Sequence, residues 1–261
     1  MKFLAIARMA FFRESFYRFE LVFNALRAVL FVVVITAVWR AVYTSRPVVA
    51  GFSLEAVILY TAIATAITLL FETNLEREIG DRLRSGNLAV QLLKPVNYFG
   101  YGLAEGAGTA AYTATVLAAP MFFALALFFD FPSSTPSALL GATLMTGLGF
   151  VLFFSFCHLT ALTTFFTEEG WALEYFRTTT VRFFAGGFLP LAFFPDALEA
   201  IALWLPFPYM VYYPALALSG RLTTAGVSSA LGVQLLWCAA LLLANYAYWK
   251  LIVRRVFIHG G

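Results

Sequence analysis

Residues Leu222–Trp249 read LTTAGVSSALGVQLLWCAALLLANYAYW, without a single charged side chain. A helix needs about 20 mostly apolar residues to cross the roughly 30 Å hydrocarbon core of a bilayer. This run is long enough, and it closes on Tyr246, Tyr248 and Trp249 before Lys250. Interfacial aromatics followed by a cation are the pattern of a membrane face. Working outward from it, further uncharged runs lie at 28–39, 56–71, 106–129, 131–167, 183–195 and 200–220. The 261-residue chain is 62% hydrophobic and only 12% charged, with a net charge of +3. A soluble domain carries about 25% charged residues, so this chain lacks the polar surface to cover a globule. Composition argues against a soluble enzyme and a disordered chain, and the small net charge gives no footprint for a nucleic-acid partner.

The runs predict an all-α polytopic membrane protein with six spans, at about 23–44, 52–72, 98–129, 136–167, 171–192 and 224–250. The uncharged stretch 200–220 is left out of this count because Pro206, Pro208 and Pro214 interrupt it. Proline in a helix interior removes a hydrogen bond and costs about 3 kcal/mol. That stretch reads instead as a re-entrant segment between the fifth and sixth spans, over 193–223. Parity agrees. The N-terminal cations Lys2, Arg8, Arg13, Arg18 and Arg27 and the C-terminal Lys250, Arg254 and Arg255 belong on the cytoplasmic side, which requires an even number of spans. Six spans place fourteen of the seventeen Lys and Arg inside and leave Arg40, Arg46 and Arg221 outside. Residues 1–22 mix Phe and charge and read as an interfacial helix on the inner leaflet. The chain is thus a single transmembrane domain over 1–261. It divides into 1–22, two helices in 23–72, a cytosolic element in 73–97, two helices in 98–167, a helix in 171–192, the re-entrant 193–223, a helix in 224–250 and a cytosolic tail in 251–261.

The segment 72–95 carries four of the fourteen acids and four of the cations. Leu75, Ile79 and Leu83 recur at helical spacing among them, Asn74 stands at a capping position and Gly86 at an end, with a second short helix expected over Leu88–Leu93 before Pro95. A small apolar ridge within dense charge suits either a solvated loop or docking into a groove on a soluble partner.

Three stretches carry a resemblance. They are Glu78-Ile-Gly-Asp-Arg-Leu-Arg-Ser-Gly-Asn-Leu-Ala-Val-Gln-Leu-Leu-Lys-Pro-Val-Asn97, Gly186-Gly-Phe-Leu-Pro-Leu-Ala-Phe-Phe-Pro-Asp196 and Leu205-Pro-Phe-Pro-Tyr-Met-Val-Tyr-Tyr-Pro214. Gln234-Leu-Leu-Trp237 and the terminal Gly260-Gly261 accompany them. In this order the chain resembles the membrane permease subunits of type-2 ABC exporters, specifically the compact six-helix group. The resemblance implies a half-transporter that pairs with a second permease, identical or related. Each half docks a separate ATP-binding subunit, two per complex, through a cytosolic coupling helix between spans two and three. The docking residues implied are Glu76, Ile79, Asp81, Arg82, Leu83, Arg84, Asn87 and Leu88. ATP and Mg are expected in the partner. The only lysines here are Lys2, Lys94 and Lys250, and none follows a glycine as a P-loop requires. No cofactor, metal or catalytic residue is expected in this chain.

Arg182 falls inside the predicted fifth span, where a lone cation costs about 2.5–3.5 kcal/mol on insertion scales. It either lines a translocation path, with Thr178, Phe183 and Phe184, or snorkels to the inner interface. Gly186, Gly187, Pro190 and Pro195 break the fifth span near the outer face, where the resemblance places an extracellular gate. Glu72 and Glu105 read as anchors at cytosolic helix ends. Three further readings are weighed. His158 with Ser155 suggests an intramembrane hydrolase, but no Gly-x-Ser-x-Gly elbow surrounds Ser155. Glu168-Glu169 suggests a metalloprotease, but no helical His pair supplies ligands. A secondary transporter or channel would place several ionisable groups at midplane. The expected function is ATP-driven export of a hydrophobic or amphipathic compound — a drug, peptide antibiotic or lipid-like molecule — across a bacterial cytoplasmic membrane.

Overall fold

The computed structural model describes residues 2–16, 18–85, 96–128, 136–167 and 170–259. Its helices are α1 (Lys2–Glu14), α2 (Arg18–Tyr43), α3 (Leu54–Leu70), α4 (Leu75–Arg84), α5 (Tyr98–Thr113), α6 (Ala119–Phe128), α7 (Pro136–Thr167), α8 (Gly170–Phe184), α9 (Asp196–Leu203), α10 (Tyr212–Leu218) and α11 (Thr224–His259). Among the described residues, four segments are long and apolar enough to cross a bilayer: Val22–Tyr43, Leu54–Arg84, Ala138–Thr167 and Thr224–Ile252. The pair Asp196–Leu203 and Phe207–Leu218, bent by 70°, makes a fifth if it is counted as one broken span.

Two expected spans differ. The helix expected over 98–129 is interrupted between α5 and α6 by a π-helical turn, Ala114–Ala118. Pro120 explains it: its ring collides with the carbonyl four residues back and it donates no hydrogen bond. One wider turn relieves both, and the Ala119 amide reaches back to Ala114. The helix expected over 171–192 stops at Phe184. Fifteen residues rise about 22 Å, short of the roughly 30 Å hydrocarbon thickness. Gly186 ends it in the left-handed region at φ 72°, with Gly187 N bonded to Arg182 O at 3.1 Å and Gly186 N to Phe183 O at 3.4 Å. Gly220, at φ 69°, ends α10 in the same way.

α3 sits at the centre, with Val57 through Ile67 buried. Its neighbours cover it on all sides, so it reads as a continuous apolar run rather than a striped one. α2 is the opposite case: Val22, Leu26, Val29, Val33 and Val38 are exposed, as on a helix facing lipid or another chain. α1 does not lie apart from the bundle. It packs along α5, where Gly108 allows backbone contact: a Cβ there would lie 2.1 Å from Ala7 O. Arg13 then reaches Glu105 at 2.5 Å, and the Thr109 hydroxyl donates to Glu14 at 3.0 Å. Leu4, Met9 and Phe12 of α1 are left exposed.

A two-residue strand pair joins α2 to α3, β1 (Val48–Val49) against β2 (Phe52–Ser53), turning through Ala50 and Gly51 with both φ positive. Arg221, just before α11, lies over the Phe52 ring at 3.9 Å and donates to Gly51 O at 2.6 Å. The hairpin and the start of α11 therefore share one end of the bundle, while α4 and the Arg13–Glu105 pair lie at the other. Across the middle, Gln234 of α11 donates to Met145 O at 2.8 Å and Tyr209 O at 2.9 Å. It ties α7 to the short 3₁₀ turn Phe207–Tyr209 inside the proline-rich segment.

Candidate functional site

α4 is the most polar of the described helices, yet half of it faces inward. The period-four series behaves as its spacing requires: Ile79 is fully buried, and Leu75 and Leu83 are half-buried. Glu76 adjoins that face and is itself fully buried. Its carboxylate accepts from Arg177 Nε at 2.5 Å and Nη2 at 3.2 Å, and from the Thr160 hydroxyl at 2.6 Å. Arg177 Nη2 also donates to Thr73 O at 2.9 Å, and its guanidinium lies 5.4 Å from the Phe153 ring centre. A buried charge survives only when paired and hydrogen-bonded, and here the two charges are both. Gly170, at the start of α8, completes the contact, since a Cβ there would lie 2.4 Å from Glu76 O. α4 is thus clasped to α7 and α8 by Glu76, Thr160, Arg177 and Gly170.

The other face of α4 points away from the bundle. Arg77, Glu78, Asp81 and Arg84 are exposed and Arg82 half-buried. Arg84 pairs with Asp81 at 2.7 Å and Arg82 with Glu78 at 3.1 Å, one helical turn apart. Arg77 reaches Glu174 of α8 at 3.2 Å. Of the docking residues expected from sequence, Asp81, Arg82 and Arg84 lie on or at the edge of this outer face. Glu76 and Ile79 lie on the inner one, Leu83 at the boundary. Asn87 and Leu88 lie outside the described residues.

Above α4 an open cavity of about 300 Å³ lies between α2, the end of α3 and α8. Thr178, Val181, Arg182 and Ala185 line it at the spacing of one α8 face, and it reaches Gly187 and Val211 beyond the helix break. Arg182 therefore faces this cavity rather than standing alone. Glu72 lies between two cations: Arg27 Nη2 bonds to Glu72 Oε1, and Arg182 Nη2 lies 3.6 Å from the same oxygen. Phe183 and Phe184 turn elsewhere, onto Phe194 at 5.0 Å and Phe207 at 6.1 Å between ring centres. Gly186 O accepts from Tyr60 of α3 at 2.9 Å. Pro190 is buried before the 3₁₀ turn Leu191–Phe193, and exposed Pro195 precedes α9.

The profile of the family described as "ABC-2 family transporter protein" matches residues 13–260. The chain belongs to the ABC-2 transporter family. It is an integral membrane component of a transporter, not itself catalytic, and permeases of this family work with an ATP-binding subunit. No curated protein and no solved structure gives a match.

The hydrolase alternative lacks its geometry in this ABC-2 protein. Ser155 donates to Val151 O at 2.7 Å, while His158 Nδ1 pairs with Asn245 Oδ1 at 2.7 Å and Asn245 Nδ2 donates to Ser155 O at 2.9 Å. The two Asn245 bonds cross-link α7 to α11, and among the described residues Ser155 and His158 make no nucleophile–base contact. Among the described residues no three potential ligands gather for a metal. Glu168 and Glu169 lie outside the described residues.

Sequence reasoning missed Arg177, Thr160 and Gly170 as parts of the α4 attachment, and Arg27 as a wall of the cavity. Their partners are between 45 and 101 positions away in the chain. A local signal existed only for Glu76, an acid adjoining the apolar series of a short helix.

Proposed function

We propose that this chain is the permease half of an ATP-driven exporter, with six membrane crossings, cytoplasmic termini and residence in a bacterial cytoplasmic membrane. The observation that carries the reading is the two-faced α4. Its inner face is locked to α7 and α8 through Glu76 and Arg177, and its outer face offers alternating charge to a soluble partner. A push on that face moves α8, which borders both the cavity and the Gly186 break. Two ATP-binding subunits, holding ATP and Mg, would dock there, and a second permease, identical or related, would cover exposed α2. The exposed apolar face of α1 suits the inner leaflet. The cargo is a hydrophobic or amphipathic compound such as a drug, peptide antibiotic or lipid-like molecule. A secondary transporter or channel would need no docking helix.

The test leaves the clasp intact. Asp81→Arg with Arg84→Asp keeps the intrahelical pair but reverses its field. Tagged wild-type protein is expected to capture a P-loop ATPase on purification, and the reversed variant to lose at least about 10-fold of it at unchanged fold. Transport by wild-type protein that never captures an ATPase would overturn the proposal.

A further inference from the structure

We infer that the cavity between α2 and α8 binds the anionic group of an amphiphile, held between Arg27 and Arg182. This deepens the export reading and rests on it for the meaning of the ligand as cargo. The charges around the cavity do not cancel. Arg177 is neutralised by Glu76, and Glu174 pairs with Arg77. That leaves two guanidinium groups, Arg27 and Arg182, sharing the single carboxylate of Glu72. Arg27 holds the hydrogen bond. The 3.6 Å approach of Arg182 is too long for one, and its guanidinium makes no hydrogen bond among the described residues. A planar fork of donors in a partly buried wall, with Glu72 at ion-pair distance but no hydrogen-bond acceptor among the described residues, suits a carboxylate, sulfonate or phosphate oxygen pair.

The rest of the cavity fits the remainder of such a molecule. Phe71, Phe153, Val181 and Val211 supply apolar walls, and Thr178 and Asn24 add polar side chains to the lining. The volume of about 300 Å³ takes a headgroup and part of a chain. The exposed apolar side of α2, with Leu26 and Leu30, begins beside Arg27 and offers a surface for the rest. Two sources supply this chemistry: an anionic lipid of the surrounding bilayer, or a separate amphiphilic cargo.

The full-length chain in neutral phosphatidylcholine nanodiscs provides the test. The probe is a dansyl-labelled C11 fatty acid, compared with its methyl ester. The carboxylate is expected to bind at least about 10-fold tighter than the ester, the discrimination of a charge-assisted hydrogen bond. Arg182→Gln and Arg27→Gln should each remove most of that preference, and Arg182→Lys should restore part of it, at unchanged helicity and elution volume. Equal binding of acid and ester, or a preference that survives both Gln variants, overturns the inference. Competition by phosphatidylglycerol in the nanodisc assigns the site to bilayer lipid, and its failure assigns it to a separate amphiphile; both retain the anionic site. Because the readout needs no ATPase, a null result leaves the export proposal standing, and ATPase capture by Arg182→Gln is expected to match wild type.

Discussion

Replacing Arg177 with Gln tests the clasp on α4. The change removes two bonds to Glu76 and one to Thr73 O, and leaves the Glu76 carboxylate fully buried with the Thr160 hydroxyl as its remaining donor among the described residues. Deleting one partner of a buried ion pair costs about 3–5 kcal/mol, most of it from the stranded charge. If α4 opens locally, that cost raises its open population on the order of 10²–10⁴-fold. Hydrogen exchange over residues 75–84 reads this directly, and trypsin reads it at Arg77, Arg82 and Arg84. The double variant Glu76→Gln with Arg177→Gln removes the stranded charge and should be less destabilised than Arg177→Gln alone, because two amides of similar volume can bond each other and Thr160. The cycle should therefore be strongly non-additive. Additive single effects, or unchanged exchange of α4 in Arg177→Gln, would refute the claim that this pair holds the helix.

Further outcomes follow from close contacts. Gly170→Ala places a methyl group 2.4 Å from Glu76 O, so α8 must shift from α4; a loss of about 1–3 kcal/mol in denaturant unfolding is expected, with weakened ATPase capture. Gly108→Ala places one 2.1 Å from Ala7 O and should free α1 from α5, seen as faster proteolysis at Arg8 and Arg13. Reversing the partly exposed Arg13–Glu105 pair should change stability by only about 0–1 kcal/mol. Tyr60→Phe removes the bond to Gly186 O at a cost of about 1–2 kcal/mol, and Gly186→Ala adds the strain of φ 72°. Both should alter transport while leaving ATPase capture unchanged, which locates Gly186 in the path and not in the docking.

What was legible in the sequence is the part governed by short-range pattern. Uncharged length marks α2, α3, α7 and α11, and the four-residue period of Leu75, Ile79 and Leu83 marks α4. The break at Gly186-Gly187 was also visible, although its force was underestimated: the helix ends there outright. The π turn before Pro120 and the strand pair at 48–53 went unread. A proline kink and a widened turn share one sequence signal, and Ala50 is not a residue that announces positive φ. In the site, Glu76 and Ile79 carry docking chemistry on paper, but their side chains are spent inside the protein. Composition cannot tell which face of a short amphipathic helix is covered when both faces carry charge.

By itself, the sequence determined that this chain lives in a bilayer, because 12% charge cannot solvate 261 residues. It also determined where charge returns, in the helix after α3. Only the tertiary structure decided what that charge is for. Glu76 and Arg177 stand 101 positions apart and meet at 2.5 Å, and Arg27 of α2, Glu72 of the link after α3 and Arg182 of α8 come together. Ion pairs of this kind depend on distance in space and on the loss of water around them. Neither quantity is written in the order of residues along the chain.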